Sequence, residues 1–218
     1  MKILILGATG RTGKLLLSEA LARGHQVHVL VRDKDKVTVG NSRLGIFEGL
    51  PTRGKDLSAA MQGCEAVMSV LNISRNSDFP WSKLRTPPGF LSNTLKNLIT
   101  QCENEGIKRV IVMSAYGVGE TRTSLPAPFR WLIDHSNIGA AYREHESQER
   151  LLEQSSLDWT VVRPVGLTNE MGNQEVDVAL DAATKLKMTI SRRAAAHFML
   201  DCLEQSLYIR QKPNIATR

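Results

Sequence analysis

Aromatic side chains make up only 5% of this 218-residue chain, and it holds no run of five like charges. With 42% hydrophobic and 23% charged residues, that composition excludes a disordered chain and speaks against a dedicated nucleic-acid binder. Cysteine is equally sparse. Cys64, Cys102 and Cys202 are an odd number without C-x-x-C spacing, each beside apolar residues, so they read as reduced, buried thiols. His25, His28, His135, His145 and His197 form no H-E-x-x-H signature, and no metal is expected. Long apolar runs are missing too. Ile3 to Leu6 stops at Gly7, too short for a signal-peptide core or a membrane span, so a cytoplasmic protein without a membrane partner is expected.

What is present is a modest positive excess, 28 Lys+Arg against 22 Asp+Glu, for a net charge of +6. Spread along the chain, this is a solvated surface unless position ties part of it to an anionic ligand. Short apolar runs alternate with helical patterns throughout, the signature of βαβ units on a parallel sheet, and the length suits one domain over 1–218. The runs predict strands at 2–6, 26–32, 44–48, 66–71, 109–114 and 159–163. Helices are predicted at 12–23, 57–61, 90–105, 140–154 and, capped by Ser191, at 191–203, with a further strand near 188–191. The tail 207–216 stays ambiguous. Stretches 72–89 and 117–137 are long for connections in such a sheet, and both follow strands whose carboxyl ends face the ligand crevice. Together with 165–187 they are expected to wall a substrate pocket.

After the first strand comes Gly7-Ala8-Thr9-Gly10-Arg11-Thr12-Gly13, leading straight into an amphipathic helix. A strand-to-helix turn that bends this sharply, with glycines where side chains would block a diphosphate, places the helix's free N–H groups and positive dipole end against phosphate. Gly7, Thr9, Gly10, Arg11, Thr12 and Gly13 are therefore candidate contacts to a dinucleotide. Which dinucleotide depends on the end of the second strand. Arg32, 19 residues after Gly13, stands where an acid would hold the ribose hydroxyls of NAD, and a guanidinium there pairs with a 2′-phosphate. NADP(H) is expected over NAD(H), although a strand one residue longer would put Asp33 there instead. Arg11 offers a second cation over the adenine or the same phosphate.

GATGRTG, HVLVRD at 28–33, ERLLEQSSLDWTVVRP at 149–164 and SRRAAAHFMLDCL at 191–203 together resemble the atypical short-chain dehydrogenase/reductase superfamily. Within it the chain is most similar to the NADPH-dependent flavin reductase and biliverdin reductase B type. The resemblance implies a single doubly wound Rossmann-type domain with strand order 3-2-1-4-5-6 and room for a seventh strand. It also implies Ser114 beside the nicotinamide, Asn72 along its ribose, backbone groups of Pro164 and Val165 at the carboxamide, and Tyr116 against a flat substrate.

The departures carry the reaction class. Ordinary members have a Tyr-x-x-x-Lys pair on the helix before strand six, and here those positions fall on Ala141 and His145. The flavin reductase type likewise has histidine for this lysine. Tyr142 is one residue off, about 100° around the helix, and Glu146 four residues on is expected to raise its pKa. Carbonyl reduction without that donor is costly, whereas a flavin or quinone delocalises the incoming charge. The expected function is NADPH-dependent hydride transfer to a small aromatic or conjugated acceptor, with Ser114, Tyr116 and His145 at the reaction centre. A non-catalytic NADP(H)-sensing regulator is the alternative, and a nucleotide-sugar epimerase or carbonyl reductase is disfavoured. The assembly is expected to be a monomer or small homo-oligomer. Leu50, where the family has Gly-Asp near the adenine, is a further departure.

Overall fold

The computed structural model describes residues 1–172 and 175–218. Its β-branched and leucine runs form strands in the predicted places: β1 (Lys2–Leu6), β2 (Gln26–Val31), β3 (Leu44–Glu48), β4 (Ala66–Ser69), β5 (Arg109–Met113) and β6 (Asp158–Pro164). Between them lie α1 (Arg11–Ala22), α2 (Gly54–Met61), α3 (Phe90–Glu105), α4 (Ala127–Asp134) and α5 (Ile138–Glu153). The remainder supplies β7 (Gly166–Thr168), β8 (Val176–Ala179), β9 (Thr189–Ser191), α6 (Arg192–Glu204) and β10 (Asn214–Thr217).

The main sheet runs β3-β2-β1-β4-β5-β6-β10-β8, parallel throughout except that β8 is antiparallel to β10. β7 and β9 pair separately in parallel. Both faces of the main sheet are covered. Ile3 and Ile5 of β1 join a core with Leu16 of α1 and Met199 of α6, while Leu4 and Leu6 join one with Leu57 of α2 and Leu98 of α3. That explains why β1 reads as an unbroken apolar run. The three cysteines are free and buried, and burial pushes the Cys102 thiol up to about 12.

The differences from the sequence-based expectation lie mostly at the sheet's carboxyl edge. The second strand ends at Val31 and the fourth at Ser69, although the Val70 N–H still donates to the Leu6 carbonyl. The tail 207–216 yields the seventh strand, and the stretch after Pro164 contributes an eighth. Residues 117–137 are no plain loop, since they hold a 3-10 turn at Gly119–Ser124 and then α4. Pro126 caps α4 and Pro128 sits in its first turn, where a missing N–H removes no helical bond. Within the predicted 165–187 wall, residues 173 and 174 lie outside the described residues.

Candidate active site

The carboxyl ends of β1, β4, β5 and β6 open onto a cavity of about 850 Å³. Gly7, Thr9, Gly10, Arg11, Thr12, Arg32, Asn72, Ser114, Tyr116, His145, Pro164 and Val165 all line it. Gly13 does not, because its work is behind the wall. A Cβ there would stand 2.0 Å from the Gly7 carbonyl oxygen, so only glycine lets α1 abut the turn. Gly7 itself has φ +88°, and its carbonyl accepts the Gly10 N–H at 2.9 Å. Gly10 starts α1 without a side-chain cap, and the first turn carries no acidic residue, so its amides and dipole are free to meet an anion.

Arg32 is the first residue past β2 and lines the cavity. Asp33 accepts from the Asp35 N–H at 3.1 Å and pairs with Lys36 at 3.2 Å, and these two partners lower its pKa. The acid therefore serves a 3-10 turn rather than the cavity wall. Arg11 lines the cavity, and both of its terminal nitrogens pair with Asp78, at 3.1 and 3.2 Å, joining the glycine turn to the 72–89 loop.

Helix α5 presents Ala141, Tyr142 and His145 to the cavity, with Gln148 and Glu149 buried one turn on, the i, i+3, i+4 spacing of a single helical face. His145 is 2% exposed, not on the polar face that Glu144 and Glu146 suggest. Burial lowers its pKa to about 4, so the ring is neutral near pH 7. Asn72 Oδ1 takes the Ile73 N–H at 2.7 Å, which identifies it as the oxygen, and it lies 3.2 Å from His145 Nε2. The proton therefore sits on Nε2. Nδ1 is left as a buried acceptor with no partner among the described residues.

Ser114 is held by its N–H on the Val162 carbonyl, and its hydroxyl donates to Glu149 Oε1 at 2.5 Å. Glu149 also receives two bonds from Arg163, through Nε at 3.0 Å and through Nη2. The Arg163 side chain is wholly buried and reaches Glu120 at 2.5 Å as well. Burial alone would lower the Arg163 pKa, but the bonds to Glu149 and Glu120 raise it. Glu120 is itself held down to about 2, its desolvation outweighed by Arg163 and Lys212. Neither Glu149 nor Arg163 was picked out as a site residue from the sequence. The signal was there, since an arginine inside the apolar strand WTVVRP requires a buried carboxylate.

Tyr142 lines the cavity, but its hydroxyl donates to the Tyr116 carbonyl at 3.3 Å. Its pKa is pushed up to about 12 by burial, against Arg122, whereas the expected partner Glu146 is taken by Arg150. The Tyr116 N–H bonds the Pro164 carbonyl at 2.9 Å, and the Val165 N–H donates to Ile215 of β10 at 3.1 Å. The Val165 N–H thus ties this turn to the extra strand β10.

A parallel sheet in this order, with a glycine turn feeding a helix and its crevice at the carboxyl edge, defines a Rossmann-type dinucleotide-binding protein. The chain belongs to the NAD(P)H-binding family, which it matches over residues 7–206. It is 25% identical over 187 residues to the uncharacterized sugar epimerase YhfK of Bacillus subtilis, covering 83% of this chain and 79% of that protein. Among solved structures it is similar to ChuY, an anaerobillin reductase of Escherichia coli O157:H7. There the TM-score is 0.82 at 19% identity, over 100% of this chain and 97% of that one. A short-chain dehydrogenase/reductase of Veillonella parvula solved with NADP gives a TM-score of 0.81 at 18% identity, over 99% and 94%. At such identities the structures speak for the fold alone. The site's own residues fit a dinucleotide: the glycine cradle leaves the α1 amides open to phosphate, and the unpartnered His145 Nδ1 suits a ribose hydroxyl. Among the described residues no helix is long and apolar enough to cross a membrane.

Proposed function

We propose that this protein is an NADPH-dependent oxidoreductase whose acceptor is flat and conjugated, of the flavin or quinone class. The observation that carries the reading is the direction of the Ser114 proton. It points at Glu149, so turning it to a substrate oxygen would strip the carboxylate of a charge-assisted bond, a loss of about 1.5–3 kcal/mol. The two polar side chains that α5 presents to the cavity give no better acid. His145 is neutral with its proton on Asn72, and the Tyr142 phenol is held near 12. An alkoxide would find no ready donor in Ser114, His145 or Tyr142, whereas a conjugated acceptor spreads the charge and takes its proton from water.

The bound cofactor supplies the hydride, and this chain's residues bind and orient. The α1 amides and Arg32 are assigned to the phosphates, which favours NADP(H) over NAD(H). Asn72 and His145 are assigned to the nicotinamide ribose, Ser114 to an N–H or O–H donor of the ligand, and the Tyr116 ring to the acceptor. Most of the rate then comes from placing and orienting two flat rings against each other.

Steady consumption of NADPH with FMN or 2-methyl-1,4-naphthoquinone tests the proposal, and cofactor binding without turnover would favour the sensing regulator instead. In the same assay Tyr142→Phe is expected to change the rate less than about threefold, under roughly 0.7 kcal/mol of barrier. A hundredfold fall with NADPH affinity unchanged would return the protein to the carbonyl reductases.

A further inference from the structure

Four arginines line the cavity, Arg11, Arg32, Arg75 and Arg192, and among the described residues no aspartate or glutamate does. Three of them have a partner or a place. Arg11 is paired with Asp78, and Arg32 stands at the end of β2. Arg192 donates to Asn169 at 2.6 Å and feels both Arg11 and Asp78, which sets it beside the glycine turn.

Arg75 is different. It lies three residues past Asn72, on a loop braced by the Arg75–Leu84 bridge and by the Ser74 N–H on Thr86 Oγ1 at 2.9 Å. Its side chain is half-buried and belongs to no ion pair among the described residues. Nε is buried without a partner, and Nη2 reaches only the Asp78 carbonyl, at 3.4 Å. A guanidinium drawn partly out of water costs free energy unless an anion meets it, and the apolar walls of Ile73, Pro87 and Phe90 strengthen its field. Its planar fork matches the oxygens of a carboxylate or phosphate.

We propose that Arg75 binds an anionic group, phosphate or carboxylate, carried on the conjugated acceptor itself, so that the cavity selects charged acceptors over neutral ones of the same ring system. This inference rests on the reading of the cavity as a conjugated-acceptor site. It goes beyond that reading by naming the acceptor's charge and the residue that reads it.

FMN and riboflavin test it, because they share one ring system and differ by a phosphate. Two measurements run side by side: kcat/KM for NADPH oxidation, and flavin affinity for the NADP+ complex by quenching of flavin fluorescence. FMN is expected to exceed riboflavin at least tenfold in both. Arg75→Gln, folded by circular dichroism and with NADPH affinity within twofold of the wild type, is expected to bring the ratio within threefold of one. Equal affinities in the wild type, or no flavin binding, overturn the inference. So does an Arg75→Gln variant that loses NADPH and both flavins alike, which assigns the arginine to the cofactor. A binding preference for FMN that depends on Arg75 but comes with no NADPH consumption upholds the inference and refutes the oxidoreductase reading.

Discussion

His145 ties the pH dependence of stability to one ring. Burial holds its folded pKa near 4, against 6.5 for an ordinary histidine. Between those values the unfolded chain binds more protons than the native one. The stability linked to this group is therefore fully present above about pH 6.5 and is lost as the pH falls toward 4. For that pair of pKa values, going from pH 7 to pH 5 removes about 2 kcal/mol, which for a chain of this size lowers Tm by roughly 4–8 °C. His145→Gln keeps an N–H for Asn72 and removes the titration. It carries a cost of its own at neutral pH, so the quantity to compare is each protein's drop between the two pH values, by calorimetry in matched ionic strength. The wild type is expected to drop about 4–8 °C further than the variant. Equal drops would refute the reasoning and mean that the ring takes up its proton as readily folded as unfolded.

Two further outcomes follow from the phosphate end. NADPH is expected to bind at least tenfold more tightly than NADH, about 1.4 kcal/mol, and Arg32→Ala to remove most of that preference; coincident titrations of the two cofactors by nicotinamide fluorescence would sink the assignment. Gly13→Ala places a methyl carbon against the Gly7 carbonyl and must push α1 off the turn, so both a lower Tm and NADPH binding weakened more than tenfold are expected. A Gly13→Ala variant with wild-type affinity would show that the close approach is not needed.

The strands and the glycine turn were legible because their signals are local. An apolar run such as Ile3–Leu6 followed by Gly7 and a helical stripe says within a dozen residues what each segment does. The outer part of the sheet was not legible in that way. β8 and β10 are four residues each, and what makes them strands is pairing between segments some 35 residues apart. Helix α4 was not foreseen within 117–137, since its prolines lie at the cap and first turn, where they fit a helix as well as a loop. In the site, positions along the crevice could be read from strand ends, but partners could not. That Arg11 finds Asp78, that Tyr142 finds the Tyr116 carbonyl, and that Val165 gives its N–H to Ile215 are long-range facts with no local pattern. His145 could be placed at the crevice from its position in the family pattern, but its burial could not be read, since the two glutamates beside it in sequence face other ways on the helix.

The Glu149–Arg163 pair under Ser114 also bears on how such a protein can change over time. Losing Arg163 leaves a carboxylate buried without its counter-charge, at a cost of about 3–5 kcal/mol, while losing Glu149 leaves the buried guanidinium with Glu120 as its remaining carboxylate partner among the described residues. Replacing both by well-packed apolar residues would cost far less, but the intermediate with only one replaced stands in the way. The direction of Ser114 is therefore tied to both members of the pair together. The arginines and aromatics of the overlying loops carry no such debt, and they can be exchanged one at a time as the protein meets new acceptors.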